Sequence, residues 1–343
     1  MKEVYLTGRS ATDFLLSPLV KGFDADFEAR RAVTHSQYHF MAYLEDCIDF
    51  PCSVFVNDAA PSLTRAEAQS LSRAIGTPLP LHVSVATPRM RRDSQKLKCH
   101  LHPASAPASM YFNVEGELSC ALPALALFET PVEDEVELIV LASIMFGVFT
   151  KNRETGKLVP RRKLTDPASV TRFLERCRES GERLAVGTAR IERLVPHAVV
   201  NAASPKEIET ALCLGLPQCM GGCGYGKPCL NHELKVPASQ KSRYCDLYWP
   251  EQNVCVEYDG EEEHTAPQAL EEDAMRNNDL VALRVPIFRV TAGQLASTLK
   301  FNRVARQIGE ALGAPVVPNT VAFHERQDAL RRQIEAAFRK YGF

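Results

Sequence analysis

Two carboxylates in this chain stand where a hairpin would force them together. Residues Tyr244 to Gly260 read YCDLYWPEQNVCVEYDG, two strand-like runs joined by a short turn from Trp249-Pro250 to Asn253. In the simplest register, centred between Glu251 and Gln252, Asp246 lies directly opposite Glu257 and Tyr244 opposite Asp259. Side chains alternate along a strand, so these four are expected on one face, and Cys245, Leu247, Val256 and Tyr258 on the other. Directly opposed residues hold their Cβ atoms roughly 4.5–5.5 Å apart, and two like charges that close destabilise a sheet. A hard divalent cation would compensate them, because Mg²⁺ and Mn²⁺ favour carboxylate oxygens. Asp246 and Glu257 are therefore the predicted metal pair. A site of that kind polarises phosphoryl groups and activates water.

The elements around the hairpin have to position that pair. Ser204 followed by Pro205 and Glu207 has the capping-box spacing of a helix start, and SPKEIETALCLGL continues it. A Gly- and Cys-rich loop leads to strands near Leu230–Val236, Ser242–Tyr248 and Asn253–Asp259. A charged helix over Ala266 to Ala282, a strand Leu283 to Val290, a short helix Ala292 to Leu299 and two last helices, Asn302–Leu312 and Thr320–Tyr341, complete the C-terminal part. The core order is α-β-β-β-α-β. Before a boundary near Pro196 to Ser204, helices and strands alternate. Helices are expected at Ser10–Val20, Thr64–Ile75, Val136–Phe149, Pro167–Ser180 and Glu182–Leu194. Strands are expected at Cys52–Val56, Leu81–Val85 and Gly116–Cys120. The fold class is thus α/β (α+β): a mixed N-terminal domain over 1–198, a mixed sheet flanked by helices over 199–312, and a helical tail over 313–343.

Composition narrows the setting. The chain has 343 residues, 45% hydrophobic and 24% charged, an ordinary globular balance. It has no run of apolar residues long enough for a membrane helix and no signal-peptide pattern at MKEVYLTGRS, which predicts a cytoplasmic protein without membrane contact. Net charge is −2, and the halves either side of residue 200 carry 24 basic against 24 acidic and 16 against 18 side chains. Any nucleic-acid surface must then be a local patch. The 11 cysteines are scattered through the predicted elements and read as small buried hydrophobes.

The order of elements, with Asp at one strand and E-x-D on the next, resembles the PD-(D/E)xK nuclease superfamily, and more closely its very-short-patch-repair-like branch. Cys245-Asp246-Leu247, Glu257-Tyr258-Asp259-Gly260, His264, Asp273, Arg276, Leu280 and the strand RVPIFRVT carry the likeness over about residues 200–300. The openings TGRSATDFLL, GELSCALPALALFE and SPKEIETALCLGLP with GGCGYGKPCLN are similar to proteins built around AbiEi-type antitoxin homology. The first resemblance implies a restriction-endonuclease-like fold and Mg²⁺- or Mn²⁺-assisted hydrolysis of DNA. Asp246 and Glu257 would hold the metal, with Glu207 a further carboxylate. The superfamily's Lys two residues after the Glu is Asp259 here, so His264 stands in as general base or phosphate donor. Arg276 would contact a phosphate. The second resemblance implies DNA, a cognate toxin or another protein as partner, in a defence, repair or mobile-element setting.

Each of these residues also has a plain structural explanation. Asp259-Gly260 is an ordinary turn signal at a strand end. Glu207 suffices as a capping residue. His264 follows three glutamates and could be a solvated loop residue, and Asp273 with Arg276 could be a helix salt bridge. Cys219, Cys223 and Cys229 could hold zinc with His232 or Cys245, or be loop cysteines, and Cys99-His100-Leu101-His102 has the alternation of a strand. Arg91 and Arg92, in the densest basic cluster, are candidate phosphate contacts or a solvated loop, as are Arg161-Arg162-Lys163. Two functions remain: a metal-dependent endonuclease, and an inactive nuclease fold serving as an antitoxin-like DNA-binding regulator.

Overall fold

A computed structural model describes residues 4–22, 63–85, 88–101, 111–115, 118–152, 154–179, 188–236, 241–260 and 284–343. The chain divides into two compact units, Met1–Pro196 and His197–Tyr341. The predicted strand at Cys52–Val56 and the predicted helix at Ala266–Ala282 lie outside the described residues.

In the first unit, strand β1 (Val4–Leu6) runs into helix α1 (Gly8–Leu16), and helix α2 (Arg65–Ile75) precedes β2 (Leu81–Val85). Strands β3 (Leu97–Leu101), β4 (Tyr111–Glu115) and β5 (Leu118–Ala121) complete a five-stranded sheet of order β3-β2-β1-β5-β4. Helices α3 (Pro123–Glu129) and α4 (Glu135–Met145) follow. Strands β6 (Phe149–Lys151) and β7 (Leu158–Pro160) form a separate ribbon before helices α5 (Pro167–Glu179) and α6 (Thr188–Leu194). Helix α2 has the full capping box of Thr64 with Glu67, as its sequence dictates. Helix α4 is buried on all sides, the property of a core helix. The apolar run expected to be helical through Phe149 stops at Met145, and Phe149 begins β6 instead. Gly147 and the turn around it bring the chain back to pair with β7.

In the second unit, helix α7 (Pro205–Gly215) leads through the Gly-rich loop to β8 (Cys229–Val236), β9 (Lys241–Trp249) and β10 (Val254–Asp259), an antiparallel meander. Strand β11 (Ile287–Thr291) adds in parallel to β10, so β10 is an inner strand of the order β11-β10-β9-β8. A short helix α8 (Ala292–Leu295), then α9 (Thr298–Leu312) and α10 (Val321–Lys340), close the chain. Helix α7 packs on β9, β10 and α10, and α9 packs on β10 and β11. The residues expected to form a separate tail therefore belong to the second unit. A buried amide pair joins the last two helices: Asn302 and Gln327 each donate to the other's carbonyl at 2.8 Å. Both units are mixed α and β, and among the described residues no helix is long and apolar enough to cross a membrane.

Candidate functional site

Helix α7 packs on β9 and β10, which puts Glu207 within the electrostatic reach of Asp246, while Glu257 converges with Cys245 and Cys255. The expected register holds where the strands pair: Val254 faces Trp249, Cys255 faces Tyr248 and Val256 faces Leu247. Pairing then ends. Asp246 turns its carboxylate onto the backbone of β10, and Oδ2 accepts from the Tyr258 N–H at 2.9 Å, one residue past Glu257. The expected pair Tyr244–Asp259 does not form. Tyr244 pairs with Glu233 of β8, and Asp259, at the exposed end of β10, pairs with Thr291 of β11.

Glu207 sits at the third position of α7 and is buried. Its Oε2 accepts from the Ala203 N–H at 2.8 Å and from Asn231 Nδ2 at 2.7 Å, and the Ser204 hydroxyl donates to Oε1 at 3.0 Å. The Ser204 Oγ in turn accepts from the Glu207 N–H at 3.1 Å. Burial pushes the Glu207 carboxyl above the usual range; the three bonds draw it back, and the negative charge of nearby Asp246 raises it further. Glu207 and Asp246 thus feel one another across the interface of α7 and β9. Glu209 is directed elsewhere, in an ion pair with Lys206 at 2.6 Å.

Asn231 was not among the residues singled out from sequence, and it organises the region. It lies on β8 between Leu230, which faces Leu247, and His232, which faces Cys245. Its backbone is left-handed, with φ 50°, a conformation that Asn tolerates better than other side chains with a Cβ. Its side chain donates both to Glu207 and to the Asn201 carbonyl at 2.8 Å. Across from it, on β9, the alternation of side chains loses its phase. Cys245 and Tyr248, three residues apart, join one apolar cluster with Cys255 and Val285. Strict alternation would put them on opposite faces. The expected face assignment is therefore corrected at Cys245: its thiol does not side with Leu247 but meets Glu257. The ligand atoms of Cys245, Cys255 and Glu257 lie within 4.8 Å of one another, and the Cys255 thiol donates to Glu257 Oε1 at 3.5 Å. His232 stacks on Tyr248 with ring centroids 4.8 Å apart.

Among the described residues, this is the one group of three or more converging His, Cys, Asp or Glu side chains. Cys219, Cys223 and Cys229 do not form such a group; Cys223 is buried and the other two are exposed. His264, Asp273 and Arg276 lie outside the described residues. Arg91 and Arg92 are exposed and belong to the first unit, where Arg91 pairs with Asp93 at 3.3 Å. Arg161 is a correction to the expected charged surface. It is buried and donates to the carbonyls of Leu15 and Ile144 in the last turns of α1 and α4. Cys99 is buried in β3, and the neighbouring His100 bonds His82 through ring nitrogens 2.9 Å apart. A cavity of about 290 Å³ beside α7, lined by Ala211, Leu212, Leu216 and Lys227, holds none of the predicted carboxylates.

No protein-family model, curated protein or solved structure matches this chain.

Proposed function

We propose that the second unit hydrolyses DNA phosphodiester bonds with Mg²⁺ or Mn²⁺, using Asp246 and Glu257 as the metal pair and Glu207 as a third carboxylate. What supports this is the packing of the helix that carries buried Glu207 on β9 and β10, which leaves the Glu207 carboxyl exposed to the charge of Asp246. Two acidic side chains from separate elements, with the charge of Asp246 adding to the cost of ionising Glu207, are a donor set that a hard cation would relieve. A divalent cation held there supplies Lewis-acid polarisation of a phosphoryl oxygen and a more acidic bound water. The chain's own residues do the rest. The Tyr258 N–H fixes one oxygen of Asp246, and Asn231, Ala203 and Ser204 fix Glu207. His264 would take the proton of the attacking water. Arg276 would meet a phosphate, and Arg91 and Arg92 would give the first unit a phosphate contact of its own.

Calorimetric titration of the full chain with Mn²⁺ tests the site. A bound ion lost in both Asp246→Ala and Glu257→Ala is the expected result. Equal binding by wild type and both variants refutes it.

One observation favours a second reading, in which a nuclease-shaped unit binds DNA or a cognate toxin as an antitoxin-like regulator and cuts nothing. Glu207 has hydrogen-bond partners on both oxygens and completes a helix cap, which is a sufficient structural role. Retarded migration of DNA in EDTA, without cleavage in any divalent metal, would establish this second role.

A further inference from the structure

We propose that Cys245, Cys255 and Glu257 form a site for a thiophilic divalent cation of the Zn²⁺ class, which would compete for Glu257 with the hard cation proposed above. Three donors from two adjacent strands converge there, with ligand atoms within 4.8 Å of one another. Two sulfurs and one carboxylate oxygen are a set that Zn²⁺ takes and Mg²⁺ does not. Both cysteines are fully buried and Glu257 is half-buried, so a fourth ligand, water or another side chain, would approach from the carboxylate side. Zinc sites with three protein ligands keep such an open position.

The apolar cluster around the two thiols accounts for their burial but not for the carboxylate beside them. Cys245 reaches Cys255 because the alternation of β9 is broken opposite Asn231, whose left-handed backbone is the unfavourable element. With regular alternation the Cys245 thiol would lie on the far face with Leu247. A small apolar side chain gains nothing from sitting beside a carboxylate, whereas a thiol gains a hydrogen bond or a shared metal. On loading, each thiol gives up its proton to solvent as its sulfur–metal bond forms, and no electron transfer is needed. Two thiolates and a carboxylate leave the loaded site one negative charge in excess. Arg289 is Glu257's register partner on β11, so it leaves the sheet on the same side and can offset that charge.

The test uses Co²⁺ as the spectroscopic substitute for Zn²⁺ on the full chain, reduced and freed of metal. One equivalent is expected to give a thiolate-to-cobalt charge-transfer absorption, abolished in Cys245→Ala and Cys255→Ala and shifted in Glu257→Gln. A variant with Cys219, Cys223 and Cys229 all changed to Ser should keep the band. Cys245→Val fills the same space without a sulfur, and Trp249 fluorescence verifies that each variant is folded. Added Zn²⁺ should raise the Trp249-monitored melting temperature of wild type and leave Cys245→Val unmoved. No charge-transfer band in wild type, or a band that survives both single cysteine variants, overturns the proposal. It does not rest on DNA cleavage: an active nuclease with no cobalt–thiolate band, or the reverse, would separate the two.

Discussion

Replacing Asn231 tests how the carboxylate region is built. The side chain makes two hydrogen bonds, one to the buried Glu207 carboxylate at 2.7 Å and one to the Asn201 carbonyl at 2.8 Å, from a left-handed backbone. A hydrogen bond to a charged group contributes about 1.5–3 kcal/mol and a neutral one about 1. Asn231→Gly removes both and keeps the backbone conformation easy, so a loss of about 3 kcal/mol is expected. Asn231→Ala loses the same bonds and adds about 1 kcal/mol for a left-handed residue with a Cβ. The chain offers a local probe, since its single tryptophan, Trp249, lies in the second unit and is buried. Its indole N–H donates to the Tyr225 carbonyl at 3.1 Å. Urea unfolding followed by Trp249 fluorescence should rank wild type above Asn231→Gly and that above Asn231→Ala. Both variants within about 0.5 kcal/mol of wild type, the ordinary range of a surface substitution, would refute the reasoning. So would Ala outlasting Gly.

Further expectations concern both units. His82 has its pKa lowered from 6.5 to about 4, first by burial and then by His100, Lys98 and Arg9. The unfolded chain binds this proton more readily, so the first unit should lose stability as pH falls from 6.5 towards 4. Hydrogen exchange of the β2 amides should quicken over that window in wild type and change less in His82→Gln. A Cβ on Gly222 would lie 2.1 Å from the Leu216 carbonyl oxygen, a backbone atom that cannot swing away. Gly222→Ala should cost about 2–3 kcal/mol by Trp249 fluorescence. Gly293, in α8, has open space around its Cβ position, so Gly293→Ala should be neutral or slightly stabilising in the same melt.

Much of the frame was legible because local rules and tertiary demands agree. Ser204, Pro205 and Glu207 announce α7, Thr64 and Glu67 announce α2, and the alternation of LHVSV gives β2 its bounds. The hairpin register followed from turn length and held for Val254 to Val256. What failed is non-local. Asn231 in NHELKV has no sequence mark that separates an ordinary strand residue from one in the left-handed region, so the break in alternation on β9 could not be anticipated. Cys245 and Cys255 are not opposite in the hairpin register, and only that break brings their thiols together. Arg161 looked like part of a charged surface because two basic neighbours follow it, while the carbonyls it serves come from Leu15 and Ile144, far away in sequence. Asp246, Glu257 and Glu207 read in the sequence as one set of carboxylates, whereas Glu257 converges with Cys245 and Cys255. Their individual hydrogen bonds depend on backbone geometry that no spacing encodes.

The most direct test of the central claim is cleavage of plasmid and labelled oligonucleotide DNA by the full chain in Mg²⁺, Mn²⁺ or EDTA. Wild type should nick or cut in either metal and not in EDTA. Metal-ion catalysis is worth several kcal/mol, so Asp246→Ala and Glu257→Ala should each lower the rate by about 10²-fold or more. Cleavage that persists in both variants, or no cleavage of any substrate by folded wild type in either metal, would contradict the account.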